Sequence, residues 1–515
     1  MKRTASLLSE LRLGTAKNAF AVLVLLTASP IALPAQTFTT LFSFDGGTNG
    51  VVPYGGLVQG TDGNLYGTTF SGYGGDSGTV FKITPSGALT TIYTFCATFP
   101  CQTGFEPVAP LVVGTDENFY GTTYGGGANN AGTAFRLTVS GTLTTLYSFC
   151  DGCGAVGAFP FAGLVQATNG DLYGTTTLGG PSNSGTVFKI TPGGTLTTLY
   201  SFCSQTGCTD GARPTAGLIQ ATNGDLYGTT EAGGANDDCS PYPGCGTVFE
   251  ITPTGGLTTL YSFCGQSGCT DGSQPIAGLV QATNGNLYGT TSTGGDTLNY
   301  FIGLGTVFKI TPGGKLTTLY RFCEQFIPCT DGFYPYAGLV QATDGNLYGT
   351  TEYGGNNNCA VGDPGCGTIF RITTSGELTT LYSFCGQVPC TDGAYPYAGL
   401  VQATNGTFYG TTYSGGDVAD TNCVGGCGAV FSLSVGLGPF VETVPTSGEV
   451  GATVKILGNS LKGATSVTFK GTAATFKVVS SSEIITTVPT GATTGTVKVV
   501  TPSGTLSSNV AFLVP

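Results

Sequence analysis

A fourteen-residue phrase, GLVQATNGDLYGTT, begins at Gly163 and returns with small exchanges at Gly217, Gly278, Gly338 and Gly399. A close form starts at Gly56 and a degenerate one, PLVVGTDENFYGTT, at Pro110. The leucine of each copy falls at 57, 111, 164, 218, 279, 339 and 400, so seven copies follow one another at spacings of 53 to 61 residues. Repetition at such a period constrains the fold more than any composition does, because each unit must bury its apolar face against the next.

Each copy holds four strand-like runs, here a, b, c and d; in the third they are 163–167, 172–176, 186–191 and 196–202. Short turns join a to b (Asn169-Gly170) and c to d (Pro192-Gly193-Gly194), as hairpins require. Runs such as TVFKI and LTTLYSF are β-branched or aromatic at successive positions, which suits sheets covered on both faces. The seventh copy ends with GAVFSLS (428–434) and lacks d. The missing strand stands at the other end, where FTTLFSF (38–44) matches LTTLYSF almost letter for letter. A ring needs such compensation, because pairing the first strand with the last removes both sheet edges. The expectation is an all-β chain: a seven-bladed β-propeller over 36–436, closed by its N-terminal strand, then an Ig-like β-sandwich over 437–515. Either d is the outer strand of each blade or the last c strand joins the first blade; the sequence leaves both open. In either phase the long bc and da loops share one face and the short ab and cd turns the other.

Residues 1–35 read as a signal peptide: Lys2, Arg3, Arg12 and Lys17, the apolar run 19–28, then Leu33-Pro34-Ala35 before Gln36. The run is too short to span a bilayer comfortably, so a secreted or surface-held chain with no membrane span is expected after cleavage. Removing it takes away four basic residues and Glu10, leaving 13 Lys and Arg against 28 Asp and Glu, a net charge of −15. A chain so poor in cations is a bad partner for nucleic acid.

All eighteen cysteines fall in local pairs: Cys96 with Cys101, Cys150 with Cys153, Cys203 with Cys208, Cys239 with Cys245, Cys264 with Cys269, Cys323 with Cys329, Cys359 with Cys366, Cys385 with Cys390 and Cys423 with Cys427. In an exported chain these read as disulfide clips on the long loops, with Cα separations of roughly 4.4 to 6.8 Å. Structural zinc wants four ligands from two close pairs, and the chain has no histidine, so neither metal nor cofactor is expected.

The absence of His also removes a Ser-His-Asp triad and a Cys-His dyad. The da loops repeat an acidic turn before a proline: Asp210, Asp271, Asp331 and Asp392, with Asp45 and Asp151 in related places. Such carboxylates either cap backbone N–H groups of their own turns or form a ring for cations or cationic partners; a paired-carboxylate glycosidase is the third reading. The Asn and Asp of the ab turns read as hairpin formers. Tyr66, Tyr120, Tyr173, Tyr227, Tyr288, Tyr348 and Tyr409, inside strand b, read as packing between blades. Tyr336 and Tyr397 sit in da loops and are better placed for contact. Candidate binding residues are thus Asp331, Tyr336, Asp392, Tyr397, Asp210 and Asp271.

The repeated unit, GLVQATNGDLYGTT with GTVFKITPGGTLTTLYSF, resembles the GloVer tandem repeats over about residues 37–435. That resemblance implies an exported protein of environmental bacteria and brings no known catalytic residues. The DGNLYGT core is similar to the Asp-x-Gly-Asn-Leu-(Trp/Tyr) strand of several propeller repeats. The VKILGNSL, VTFKG and VPTGATTGTVKV segments resemble IPT/TIG domains, which implies an Ig-like module and no particular reaction. The expected function is non-catalytic binding or adhesion to an extracellular ligand, whether glycan, cell-wall polymer or protein. The alternative is a secreted polysaccharide hydrolase using long-loop carboxylates.

Overall fold

The computed structural model describes residues 36–514 except 73–76, 153, 237–243, 296–302, 325–327, 358–364, 388, 417–422 and 424. The signal-peptide reading of residues 1–35 therefore lies outside the described residues. Between residues 37 and 434 the strands form seven four-stranded antiparallel sheets, each ordered a-b-c-d, and one two-stranded ribbon of Gly157–Ala158 with Leu178–Gly179. In the fifth these are Val280–Gln281, Leu287–Thr291, Thr306–Ile310 and Leu316–Arg321. The seventh sheet is built from Val401–Gln402, Phe408–Thr412 and Ala429–Ser434, with Thr37–Ser43 as its outer strand. Strand d is thus outermost, and the chain start completes the last blade.

Burial follows the strand sequences. Every residue of the b strands is buried, and the c strands expose little beyond their fourth residue. The b-strand tyrosines lie between blades: Tyr66 packs on Phe119 at 4.2 Å and Tyr348 on Phe408 at 4.3 Å. Their hydroxyls reach the ab turns, as in Tyr66 to Asp62 at 2.9 Å. The same turn aspartate accepts from the Asn64 N–H, which closes the turn locally.

The glycine of the LYGTT phrase is a packing requirement. At Gly289 a Cβ would sit 2.6 Å from Phe308 Cζ and 2.8 Å from Leu279 Cδ2. Gly289→Ala is therefore expected to cost about 1–3 kcal/mol by overpacking, read as a lower urea midpoint at unchanged m-value; an unchanged midpoint would contradict this packing.

Two ladders of side-chain hydrogen bonds tie neighbouring blades. Thr175 donates to the Ala216 carbonyl of the next blade, and Thr229, Thr290 and Thr350 do likewise. On the innermost strands each glutamine accepts an N–H from the preceding blade and donates to its own turn. Gln281, for example, accepts from Thr222 and donates to Gly285. Thr404 N–H to Gln59, at 2.8 Å, carries this clasp across the ring closure. The second blade has Val113 in place of the glutamine and Glu117 in place of the turn glycine.

The C-terminal domain has two four-stranded sheets. Glu442–Val444, Thr453–Leu457, Glu483–Thr487 and Phe476–Val478 make one. Thr472–Ala473, Ser466–Phe469, Val497–Thr501 and Gly504–Ser507 make the other. Val454, Ile456, Phe469, Ile484, Val497 and Phe512 fill the space between them. The domain sits on the short-turn face. Phe440 N–H donates to Thr404, Ser482 Oγ to the Thr61 carbonyl at 3.0 Å, and Lys455 Nζ pairs with Glu117 at 2.5 Å. The degenerate second copy is thus one of the places where the two domains meet.

Candidate functional site at the long-loop mouth of the channel

The long loops are braced from within, five of the following bridges lying in da loops and Cys423–Cys427 in the bc loop of the seventh copy. Cys96–Cys101, Cys203–Cys208, Cys264–Cys269, Cys323–Cys329, Cys385–Cys390 and Cys423–Cys427 are disulfide-bonded. Three of the six are tighter than expected, with Cα separations of 4.0, 4.1 and 4.1 Å. Both cysteines of each of these pairs have positive φ, so the short loop winds closely on itself. Cys150, Cys245 and Cys366 are also disulfide-bonded, while Cys153, Cys239 and Cys359 lie outside the described residues. Cys245 lies beside the Cys264–Cys269 bridge, and Cys366 beside Cys385–Cys390. These sulfurs are bonded to sulfur, so among the described residues no free thiol is present to ligate a metal.

Asp210, Asp271 and Asp392 have no solvent exposure. Asp392 accepts from the Tyr382 hydroxyl at 2.7 Å and from Gly386 N–H at 2.9 Å. Asp271 takes Tyr261 and Gly265 in the same way, and Asp210 takes Tyr200 and Ser204. Asp331, half-buried, accepts from Tyr320 and from Cys323 N–H. Each carboxylate therefore ties its own da loop to the tyrosine of the preceding d strand. The four occupy four separate loops.

The residue that follows the da-loop proline varies between copies, being Tyr54, Val108, Phe161, Thr215, Ile276, Tyr336 and Tyr397 in turn. All seven line one cavity of about 370 Å³ at the axis of the ring. The tyrosines fall on successive blades. Tyr336 stacks on Tyr397 at 5.4 Å and 18°, and Tyr397 on Tyr54 at 5.2 Å and 23°. Phe161 presents its edge to Tyr54 at 5.9 Å. One side of the mouth is thus aromatic, while Val108, Thr215 and Ile276 contribute no rings to the rest.

Behind the tyrosines lies Glu352, 3% exposed, accepting a hydrogen bond from Tyr397 Oη at 2.5 Å. Burial pushes its carboxyl above the usual range, against hydrogen bonds from Tyr397 and Tyr353. Burial, then the neighbouring Glu352, pushes the Tyr54 hydroxyl up to about 12. The equivalent position in the fourth copy is Glu231, which pairs with Arg213 at 3.4 Å. Sequence reasoning singled out Tyr336 and Tyr397 and missed Tyr54, Phe161 and Glu352. The signal was present: aligning the copies on LYGTT shows that only Glu231 and Glu352 place an acid directly after it.

A disulfide-clipped propeller with an asymmetric aromatic mouth and a docked Ig-like domain is the class of protein that fold and site define. The chain belongs to the Gloeobacter/Verrucomicrobia repeat family, whose pattern matches residues 27–242 and 240–463, and it carries an IPT/TIG domain at 440–514. No curated protein matches it. Among solved structures it is similar to a fungal alcohol oxidase of the AA5 family in complex with copper. The identity there is 13% over 93% of this chain and 98% of that one, with a TM-score of 0.50. A putative 6-phosphogluconolactonase from Bacteroides uniformis is also similar, at 16% identity, 64% and 84% coverage and a TM-score of 0.40. At such identities the likeness concerns fold alone. Among the described residues no helix is long and apolar enough to cross a membrane.

Proposed function

We propose that the chain is an exported, non-catalytic binding protein that takes a glycan or cell-wall polymer at the long-loop mouth of its propeller. The observation that carries this reading is the convergence of the variable residue after each da-loop proline on a single cavity with a tyrosine ladder along its wall. Aromatic walls with a few polar tips suit sugar rings, whose C–H faces pack on the rings while their hydroxyls meet Tyr Oη groups. Disulfide clips and buried aspartates hold the loops in place, which lowers the entropy lost on docking. Residues 1–35 supply the export signal, and the bridged cysteines fit an oxidising compartment. The aspartates act here as braces, and the contacts fall to Tyr54, Tyr336 and Tyr397.

A hydrolase would need two carboxyl groups about 5 to 10 Å apart across the bond. The described residues lining the cavity include no carboxylate, and Glu352 stands behind Tyr397. The test is a screen of soluble glycans and peptidoglycan fragments against the chain from Gln36 onward, with released reducing ends measured in parallel. Binding without release, weakened at least tenfold in Tyr336→Ala/Tyr397→Ala at nearly unchanged Tm, is the expected result. Turnover of any polymer would replace the binding reading with the hydrolase.

A further inference from the structure

The channel has a second chamber at its other end. Its wall is a ring of inner-strand side chains that includes Val58, Val112, Val165, Ile219, Val280 and Val401, and its floor is the C-terminal domain. Its volume is about 510 Å³, within the range of sites for small organic molecules.

Two polar groups on the floor have no partner among the described residues. Glu442, half-buried, lines the chamber and makes no side-chain hydrogen bond or ion pair with the described residues, and burial pushes its carboxyl above the usual range. The Ser447 hydroxyl is buried and makes no hydrogen bond. Most of the inner-strand glutamines nearby are already committed: Gln166, Gln220 and Gln281 each accept from a neighbouring threonine N–H and donate to their own turn carbonyl. Lys455, on the adjacent strand, is held by Glu117. Even a half-buried carboxylate without a counter-charge is costly, and water relieves that cost only in part.

We propose that this chamber binds a small organic ammonium ion, with the Glu442 carboxylate as its counter-charge, the Ser447 hydroxyl as a second acceptor and the valine ring around its aliphatic body. A single carboxylate is a poor match for calcium, which takes six to eight oxygens, or for magnesium, which demands a near-ideal octahedron. Apolar walls with one unpaired anion match an alkylammonium far better. This site is separate from the tyrosine mouth and does not rest on the binding reading given for it.

The experiment is calorimetric titration of the chain from Gln36 onward with n-pentylammonium and with n-pentanol, its neutral counterpart. Pentylammonium should bind at least tenfold more tightly than pentanol. Glu442→Gln should remove that preference by weakening the amine and leaving the alcohol unchanged. Should Glu442→Gln not fold, Val280→Phe, which fills the chamber from its inner-strand ring, must block pentylammonium instead. Equal affinity for amine and alcohol, no binding of either, or amine binding that survives Glu442→Gln or Val280→Phe would overturn the proposal and leave a chamber that holds water only.

Discussion

Removal of residues 36–45 is expected to abolish cooperative unfolding and to turn the protein into an aggregating species. Thr37–Ser43 pairs with Ala429–Ser434 along its length, from Thr37 opposite Ser434 to Ser43 opposite Ala429. Phe38 stacks on Tyr382 of the neighbouring blade at 3.8 Å and lies 5.4 Å from Phe431. Phe44 is buried against Phe81 of the first blade at 5.5 Å. Deletion removes the buried Phe44, worth about 1.5–3 kcal/mol, and the partly buried Phe38 and Phe42, and bares the edge of a strand rich in apolar residues. Size-exclusion chromatography with light scattering and a urea titration would read the result. A truncated protein that stays monomeric with the same midpoint would contradict ring closure.

Asp392→Ala is expected to lower stability by about 3 kcal/mol. The substitution leaves the Tyr382 hydroxyl and the N–H groups of Gly386 and Gln387 without their acceptor. A stranded buried donor costs about 1–3 kcal/mol, and the loop relaxes enough to recover part of the sum. Asp392→Asn keeps one acceptor oxygen and should lose only about 1 kcal/mol. Asp271→Ala, with the same partners in its own loop, should behave alike. The check is thermal unfolding under non-oxidising, non-reducing conditions, with disulfides confirmed intact. An alanine variant that keeps its Tm and loses ligand would assign these acids to contact and not to bracing.

Much of the architecture was legible because repetition exposes it. FTTLFSF at the start and the missing fourth strand at the end together require a closed ring. The blade phase was not legible, since either arrangement satisfies the strand inventory; the sheet order decides it, because Ala429–Ser434 pairs with Phe408–Thr412 of its own copy and Thr37–Ser43 stands at the sheet edge. The repeated Asp-Gly was visible, but not the tyrosine that each aspartate holds, ten or eleven residues upstream across a loop closed by cysteines. Tyr336 and Tyr397 stood out as loop aromatics. That Tyr54 and Phe161 join them follows only once symmetry brings equivalent positions to one axis. Val113 and Glu117 read in the sequence as decay of the second copy. In the fold Glu117 receives Lys455, and Thr61, in the turn of the adjoining blade, receives Ser482. A docking surface of this kind leaves no periodic trace.

On the reading proposed above, ligand meets the long-loop mouth. Hydrogen–deuterium exchange tests it most directly, on the chain from Gln36 onward with and without a polymer retained in the glycan and peptidoglycan screen. Added protection is expected in the da segments around Tyr54, Tyr336 and Tyr397, with the short turns at Asn169-Gly170, Asn223-Gly224 and Asn284-Gly285 unchanged. Protection confined to those short turns, with the tyrosine segments exchanging as before, would place the ligand on the opposite face and contradict it.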